Sequence, residues 1–196
     1  MKKFELVYED SEMMERPADN IDGWDHAIVT RIRSLVDIPG VVSVGELGGY
    51  IEHEHNLSHD GNCWIADDAV VCDNAKVSGN AQVSGNAWVY GDARVYDNAK
   101  VYRDAIVGNE AIIFDKAEVT GMVNDQAKVF DNAKVYDNAW VYDGATVSGN
   151  ALVYGDAKVS GNAQVCGKMI LESGHVSEGI HKEYENHLEV EDDLER

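Results

Sequence analysis

Residues 73–102 read DNAKVS, GNAQVS, GNAWVY, GDARVY and DNAKVY, five consecutive copies of one six-residue unit. In each copy the third residue is Ala and the fifth is Val: Ala75 and Val77, Ala81 and Val83, Ala87 and Val89, Ala93 and Val95, Ala99 and Val101. Two apolar residues with one residue between them make a short strand with one face turned inward. The two residues that open each copy are Gly or Asp, then Asn or Asp. Those types tolerate the left-handed backbone that a tight corner needs. A strand and a corner repeated every six residues force the chain to coil, with each strand parallel to one on the next turn.

The pattern extends in both directions from this stretch. Upstream stand GNCWIA and DDAVVC, starting at Gly61. Downstream come RDAIVG, NEAIIF and DKAEVT, then a four-residue piece, Gly121-Met122-Val123-Asn124. Seven further copies follow, from DQAKVF to GNAQVC, and GKMILE (167–172) is a degraded last one. Cys63 and Met169 replace the alanine in the first and last copies. Reading the four-residue piece as one shortened side gives about six coils of three sides, roughly 29 Å tall at the usual strand spacing. Asn74, Asn80, Asn86, Asn98, Asn132, Asn138, Asn150 and Asn162, at the second position, are expected to form corner ladders that satisfy turn amides.

These repeats resemble the hexapeptide-repeat superfamily, whose fold is a left-handed parallel β-helix with three hexads per triangular coil. The resemblance implies an all-β chain: an N-terminal β cap over 1–60, the β-helix over 61–172, and a short helical or disordered acidic segment over 173–196. It does not fix a function, since the fold carries acyltransferases, carbonic anhydrases and non-catalytic scaffolds. A narrower likeness lies in Arg31-Ile32-Arg33-Ser34-Leu35, Gly45-Glu46-Leu47-Gly48-Gly49-Tyr50-Ile51, and Asn56-Leu57-Ser58 leading into Gly61-Asn62-Cys63-Trp64. This resembles the YdcK-type hexapeptide proteins of bacteria, phages and prophages, which are often labelled transferases on fold grounds alone.

The flanks are not repetitive. Phe4–Tyr8, Ala27–Leu35, Val41–Val44 and Tyr50–His53 read as strands, with an acidic loop over 16–26. An open β-helix end exposes unpaired strand edges, so residues 1–60 are expected to cap it. Ile180, Tyr184 and Leu188 have helical spacing and suggest a short amphipathic helix.

Charge excludes several partners. Lys and Arg total 16 against 36 Asp and Glu, a net charge of −20. Neither direct nucleic-acid binding nor attachment to an anionic membrane suits that balance. No apolar run is long enough for a membrane span, and Met1–Glu5 has no apolar leader, so a cytoplasmic protein is expected. Cys63, Cys72 and Cys166 form no CxxC pair and read as reduced thiols. Acids outnumber bases by 13 to 5 in 1–60, 15 to 9 in 61–172 and 8 to 2 in 173–196. The repeats are thus the least acidic part per residue, which weakens a DNA-mimic reading. Capture of a basic or nucleic-acid-binding protein by the acidic ends stays open.

Outward residues sort onto three faces. Gln82, Lys100, Glu118 and Lys134 fall on one, and Lys76, Arg94 and Lys128 on another. The third carries Val70, Trp88 and Ile106 and, if the short side belongs to it, Trp140, with Cys72, Tyr90 and Tyr142 alongside. An apolar stripe of that width is expected to be covered, by a second subunit or by the chain's own terminal segment. Val70, Trp88, Tyr90, Ile106, Trp140 and Tyr142 are therefore the candidate interface of a dimer or trimer.

No His lies within 61–172; His26, His53, His55, His59, His175, His181 and His187 all stand outside. No loop interrupts the repeats either, which weighs against the acyl transfer typical of the fold. His53 and His55 are the candidates for a catalytic base, with acetyl-CoA as the cofactor such a transferase would use. On a strand, His53 and His55 would share a side, and with His59 they are the candidate metal ligands. Corner aspartates (Asp67, Asp68, Asp73, Asp97, Asp115, Asp131, Asp137, Asp143) are read as turn formers before calcium ligands. The leading expectation is a non-catalytic β-helical binding or assembly protein without a cofactor, phage- or prophage-encoded. An acyl-CoA-dependent transferase and an acidic inhibitor of a nucleic-acid-binding protein are the alternatives.

Overall fold

The computed structural model describes residues 1–15 and 26–183. It is a parallel β-solenoid of about seven turns built from three sheets. One sheet, the Trp face, stacks Val70–Val71, Trp88–Val89, Ile106–Val107, Met122–Val123, Trp140–Val141, Lys158–Val159 and His175–Val176. The Glu118 face stacks Trp64–Ile65, Gln82–Val83, Lys100–Val101, Glu118–Val119, Lys134–Val135, Leu152–Val153 and Ile170–Leu171. The Phe114 face runs from Lys76–Val77 to Ile180–Lys182.

The repeat explains the core. The third-position alanines from Ala69 to Ala163 and the aliphatic fifth positions from Ile65 to Val165 are buried, nearly all with no exposure. Each buried valine contributes roughly 1.5–3 kcal/mol before the cost of ordering the chain. Backbone amides bond to the turn below, as in Lys76 N–H to Ala93 C=O at 2.9 Å and Ser78 N–H to Val95 C=O at 3.0 Å.

Corners follow the chemistry of their first two residues. The first is left-handed at Asp67, Asp73, Asp97, Asp115, Asp131, Asp137 and Asp143, with φ between 55° and 60°. Asp67, Asp73, Asp131 and Asp143 each accept the N–H of the first residue one turn below: Gly85, Gly91, Gly149 and Gly161. At the second position Asn80 donates to Asn98 at 3.1 Å, Asn86 to Asp104 at 2.9 Å and Asn132 to Asn150 at 3.2 Å. The second-position ladder therefore runs from side chain to side chain, and it is chiefly the first-position aspartates that meet the turn amides; among the described residues Asn74 and Asn162 take no part in it.

Gly121–Asn124 is a shortened side. Ile106 pairs with Met122 sixteen residues on, and Met122 with Trp140 eighteen residues on. The Trp face therefore stays in register across the interruption.

Two expectations are revised at the C-terminus. The solenoid does not stop at 172, and His175–Val176 and Ile180–Lys182 are strands where the sequence suggests a helix. His175–Val176 pairs with Lys158–Val159, and Ile180–Lys182 with Gln164–Cys166. These added sides bring the count to about seven turns instead of six. Tyr184, Leu188 and His187 lie outside the described residues.

The N-terminal segment is a β cap, with altered limits. Strand β1 (Phe4–Glu15) pairs antiparallel with β2 (His26–Ser34), and β2 with β3 (Leu47–Ile51). β3 then lies parallel to Val70–Val71, which joins the cap to the Trp face. Val41–Val44 forms no strand, only an isolated bridge between Ile38 and Val42. Residues 16–25 of the acidic loop lie outside the described residues.

Three polar side chains fix the cap to the first coil. Asn56, with no exposure, donates to the Asp73 and Ala75 carbonyls at 3.0 and 2.8 Å and accepts the His53 N–H at 2.7 Å. Lys3, 4% exposed, donates through Nζ to the Cys63 carbonyl at 2.9 Å and approaches its Sγ at 3.1 Å. Arg31 donates to the Gly48 and Asp67 carbonyls and to the Tyr50 hydroxyl, and its guanidinium lies over the Tyr50 ring. No helix of the described residues is long and apolar enough to cross a membrane.

Candidate functional site

The Trp face carries the apolar stripe, and its two halves differ. At the N-terminal end the chain covers itself. Ala27 and Val29 of β2 form one buried cluster with Tyr50, Val70, Cys72 and Tyr90, and Met14, Trp88 and Ile106 pack against it. Val70 and Tyr90, 1% and 2% exposed, are interior positions of the protomer, so in this fold they do not face a partner. The Tyr90 ring lies flat over Gly108: a Cβ there would meet Tyr90 Cζ at 2.4 Å. Of the two covers the sequence leaves open, the chain's own terminal segment occupies this half.

Beyond Ile106 the stripe continues as Met122, Trp140 and Tyr142, all half-buried. The Trp140 and Tyr142 rings tilt together at 4.5 Å, and Lys158 Nζ sits 5.6 Å from the Trp140 ring. Asn124 Oδ1 and Trp140 Nε1 are shielded from solvent and have no hydrogen-bond partner among the described residues. A missing partner for a buried polar atom costs about 1–3 kcal/mol.

At the lower end of this face the Ser160 hydroxyl, in a residue 4% exposed, lies 2.7 Å from His175 Nε2, with the Tyr142 hydroxyl 3.3 Å from the same nitrogen. A hydroxyl against an imidazole is the pairing of an activated nucleophile. Among the described residues no carboxylate bonds the other nitrogen of His175, so the orienting third member of a triad is missing. The pairing depends on His175, which lies beyond the readable repeat, so no periodicity marks it.

The histidines read as base or metal ligands fall elsewhere. Glu54–Asn56 is a 3-10 turn, not a strand, yet the His53 and His55 rings still stack at 5.1 Å. His59 instead lies on the Phe4 ring at 4.4 Å. Its Nδ1 accepts the Lys3 N–H at 3.2 Å, and its Nε2 faces Glu54 at 3.0 Å. The Glu54 carboxyl is held below its ordinary value, first by the hydrogen bond with His59 and then by that with Lys2. With both ring nitrogens engaged, His59 serves the cap. Among the described residues three potential metal-ligand atoms converge at Glu52, Cys72 and Asp73. There Glu52 accepts the Asp73 N–H and Asp73 accepts the Gly91 N–H, which are corner roles.

The Glu118 face has one polar cluster. Glu118 accepts hydrogen bonds from Tyr136 at 2.6 Å and from Tyr102 and Lys134 at 3.4 Å. The Tyr136 bond lowers the Glu118 carboxyl and Lys134 adds to it, against an opposing effect of burial. Burial, and then the Glu118 carboxylate, push the Tyr136 hydroxyl well above its ordinary value. A tyrosine held protonated this firmly serves as a hydrogen-bond donor, not as a base.

The described residues form a parallel β-solenoid, consistent with a protein of the hexapeptide-repeat type. Residues 81–94 and 93–109 match a family model described as the YdcK beta solenoid repeat. A search of curated proteins finds no match to the chain.

Proposed function

We propose that the chain is a non-catalytic binding and assembly protein, and that the uncovered half of the Trp face engages a second copy of the chain. What carries this reading is the surface around Met122, Trp140 and Tyr142. It continues a stripe whose other half is buried. Monomers rarely leave such a patch open. Trp88 packs against the chain's own hairpin, so the informative substitution is Trp140→Asp. Sedimentation velocity of the wild type should give a dimer or trimer, and Trp140→Asp should sediment as a monomer. A monomeric wild type, or a variant of unchanged mass, would overturn the reading.

The Ser160–His175 pair supports a second reading, an acyl-CoA-dependent transferase. Calorimetric titration with acetyl-CoA separates the two. Saturable binding that is lost in His175→Ala favours the transferase; no binding favours assembly.

A further inference from the structure

The shortened side leaves a cleft of about 360 Å³ at the corner between the Glu118 face and the Trp face. Its walls are Arg103 and Asp104 above and Asp137 and Asn138 below, with Thr120, Gly121, Ile106 and Met122 at its base. In sequence terms Gly121-Met122-Val123-Asn124 supplies positions three to six of a hexad, so what is missing is the two-residue corner. Gly121 stands in the alanine position because a Cβ there would lie 2.6 Å from the Ala139 carbonyl oxygen.

Removing a corner leaves its ladder partners unmatched. One turn higher the Asn86 N–H donates to the Arg103 carbonyl at 2.7 Å. The Asp104 N–H, next in line, has no corner carbonyl to reach and makes no bond among the described residues. Among the described residues the Asp137 carbonyl takes no donor from above, and the Asp137 N–H meets no carboxylate of the kind that Gly85, Gly91 and Gly149 receive. Asn138 donates to Asp156 at 3.2 Å, but among the described residues its own Oδ1 has no donor. Thr120, 8% exposed, makes no side-chain hydrogen bond among the described residues. Arg103 is the one left-handed corner residue among those described that is not Gly, Asp or Asn, at φ 61°. Such a backbone costs about 1 kcal/mol and needs a reason. Its guanidinium is exposed and has no ion pair among the described residues.

We infer that this cleft binds an Asp-Asn turn of a partner protein, a peptide corner of the kind the chain itself lacks here. The carbonyl of the Asp would accept from Asp104 N–H, and the N–H of the Asn would donate to the Asp137 carbonyl. The Asp carboxylate would take the Asp137 N–H and pair with Arg103, and the Asn amide would donate to Asn138 Oδ1. A simple anion fits less well: it could meet Arg103, but it has no N–H to give the Asp137 carbonyl or Asn138 Oδ1, and nothing else to offset the flanking Asp104 and Asp137 carboxylates. The inference does not rest on the oligomer, although Met122 lines this cleft and also belongs to the proposed contact with a second copy.

The test is amide chemical shifts of the full-length ¹⁵N-labelled protein titrated with the blocked peptide acetyl-Gly-Asp-Asn-Gly-amide, with inorganic phosphate as a second probe. Saturable shifts of the Asp104, Thr120, Gly121 and Asp137 amides are expected with the peptide and not with phosphate. Arg103→Ala should weaken binding about tenfold, the size of one charge-assisted hydrogen bond. Inserting Asp-Asn between Thr120 and Gly121 restores the hexad and should abolish binding by filling the cleft. Absence of saturable shifts, equal shifts with phosphate, or full affinity in Arg103→Ala would each overturn the inference, and the Arg103 variant decides it if the insertion does not fold.

Discussion

The contact between Tyr90 and Gly108 makes a sharp prediction about the cap. Gly108→Ala adds one methyl group, and the backbone there is not left-handed, so the substitution is conformationally permitted. The new Cβ would sit 2.4 Å from Tyr90 Cζ and 2.5 Å from its hydroxyl oxygen. Tyr90 cannot swing aside cheaply, because it is 2% exposed and packed with Ala27, Val29 and Val70. The overpacking should cost about 1–3 kcal/mol. With Tyr90→Ala in place the clash disappears, and the alanine should then stabilise the fold by about 0.4–1 kcal/mol through the less flexible unfolded chain. The same substitution thus changes sign between backgrounds, which urea unfolding of the four variants reads directly. An equal effect of Gly108→Ala in both backgrounds would refute the packing of Tyr90 against Gly108.

Two further outcomes follow from polar side chains. Asn56→Ala leaves the Asp73 and Ala75 carbonyls and the His53 N–H unpaired in a buried site, and should lower stability by about 2–3 kcal/mol in the same unfolding assay. Glu118→Gln tests the carboxyl held below its ordinary value of 4.5. A depressed carboxyl stabilises the fold above that value and loses the effect as pH falls through its folded value. The wild type should therefore exceed Glu118→Gln by about 1 kcal/mol at pH 7, with the gap closing on acidification below pH 4.5. A gap that persists in acid would show that the hydrogen bonds do not depend on the charge.

The solenoid and its faces are legible because every copy repeats the same demand. Ala and Val must point inward, and Asp, Gly and Asn must turn. Even the column from Ile106 to Trp140 follows once Gly121–Asn124 is read as a side. The last turn is hidden because 173–182 has no alanine and its sides are five residues long, so the period fails while the pairing continues. The cap contacts are hidden for a different reason. Lys3, Arg31 and Asn56 act singly, at sequence separations of 17 to 60 residues, and a lone polar residue has no period to detect. The self-covered half of the stripe belongs with them: the alternation around Val29 marks a strand but not the surface it lands on.

The shortened side has a consequence for how the chain tolerates change in length. Residue spacing along the Trp face varies from 16 to 18, but the count of three sides per turn does not. Losing two corner residues leaves every later side chain on its own face. Gaining one whole hexad, the edit that looks gentlest in the sequence, would rotate everything after it by a third of a turn. Placed after Asn124, such a hexad would carry Trp140 and Tyr142 off the stripe that ends in Met122 and set Lys134 there instead.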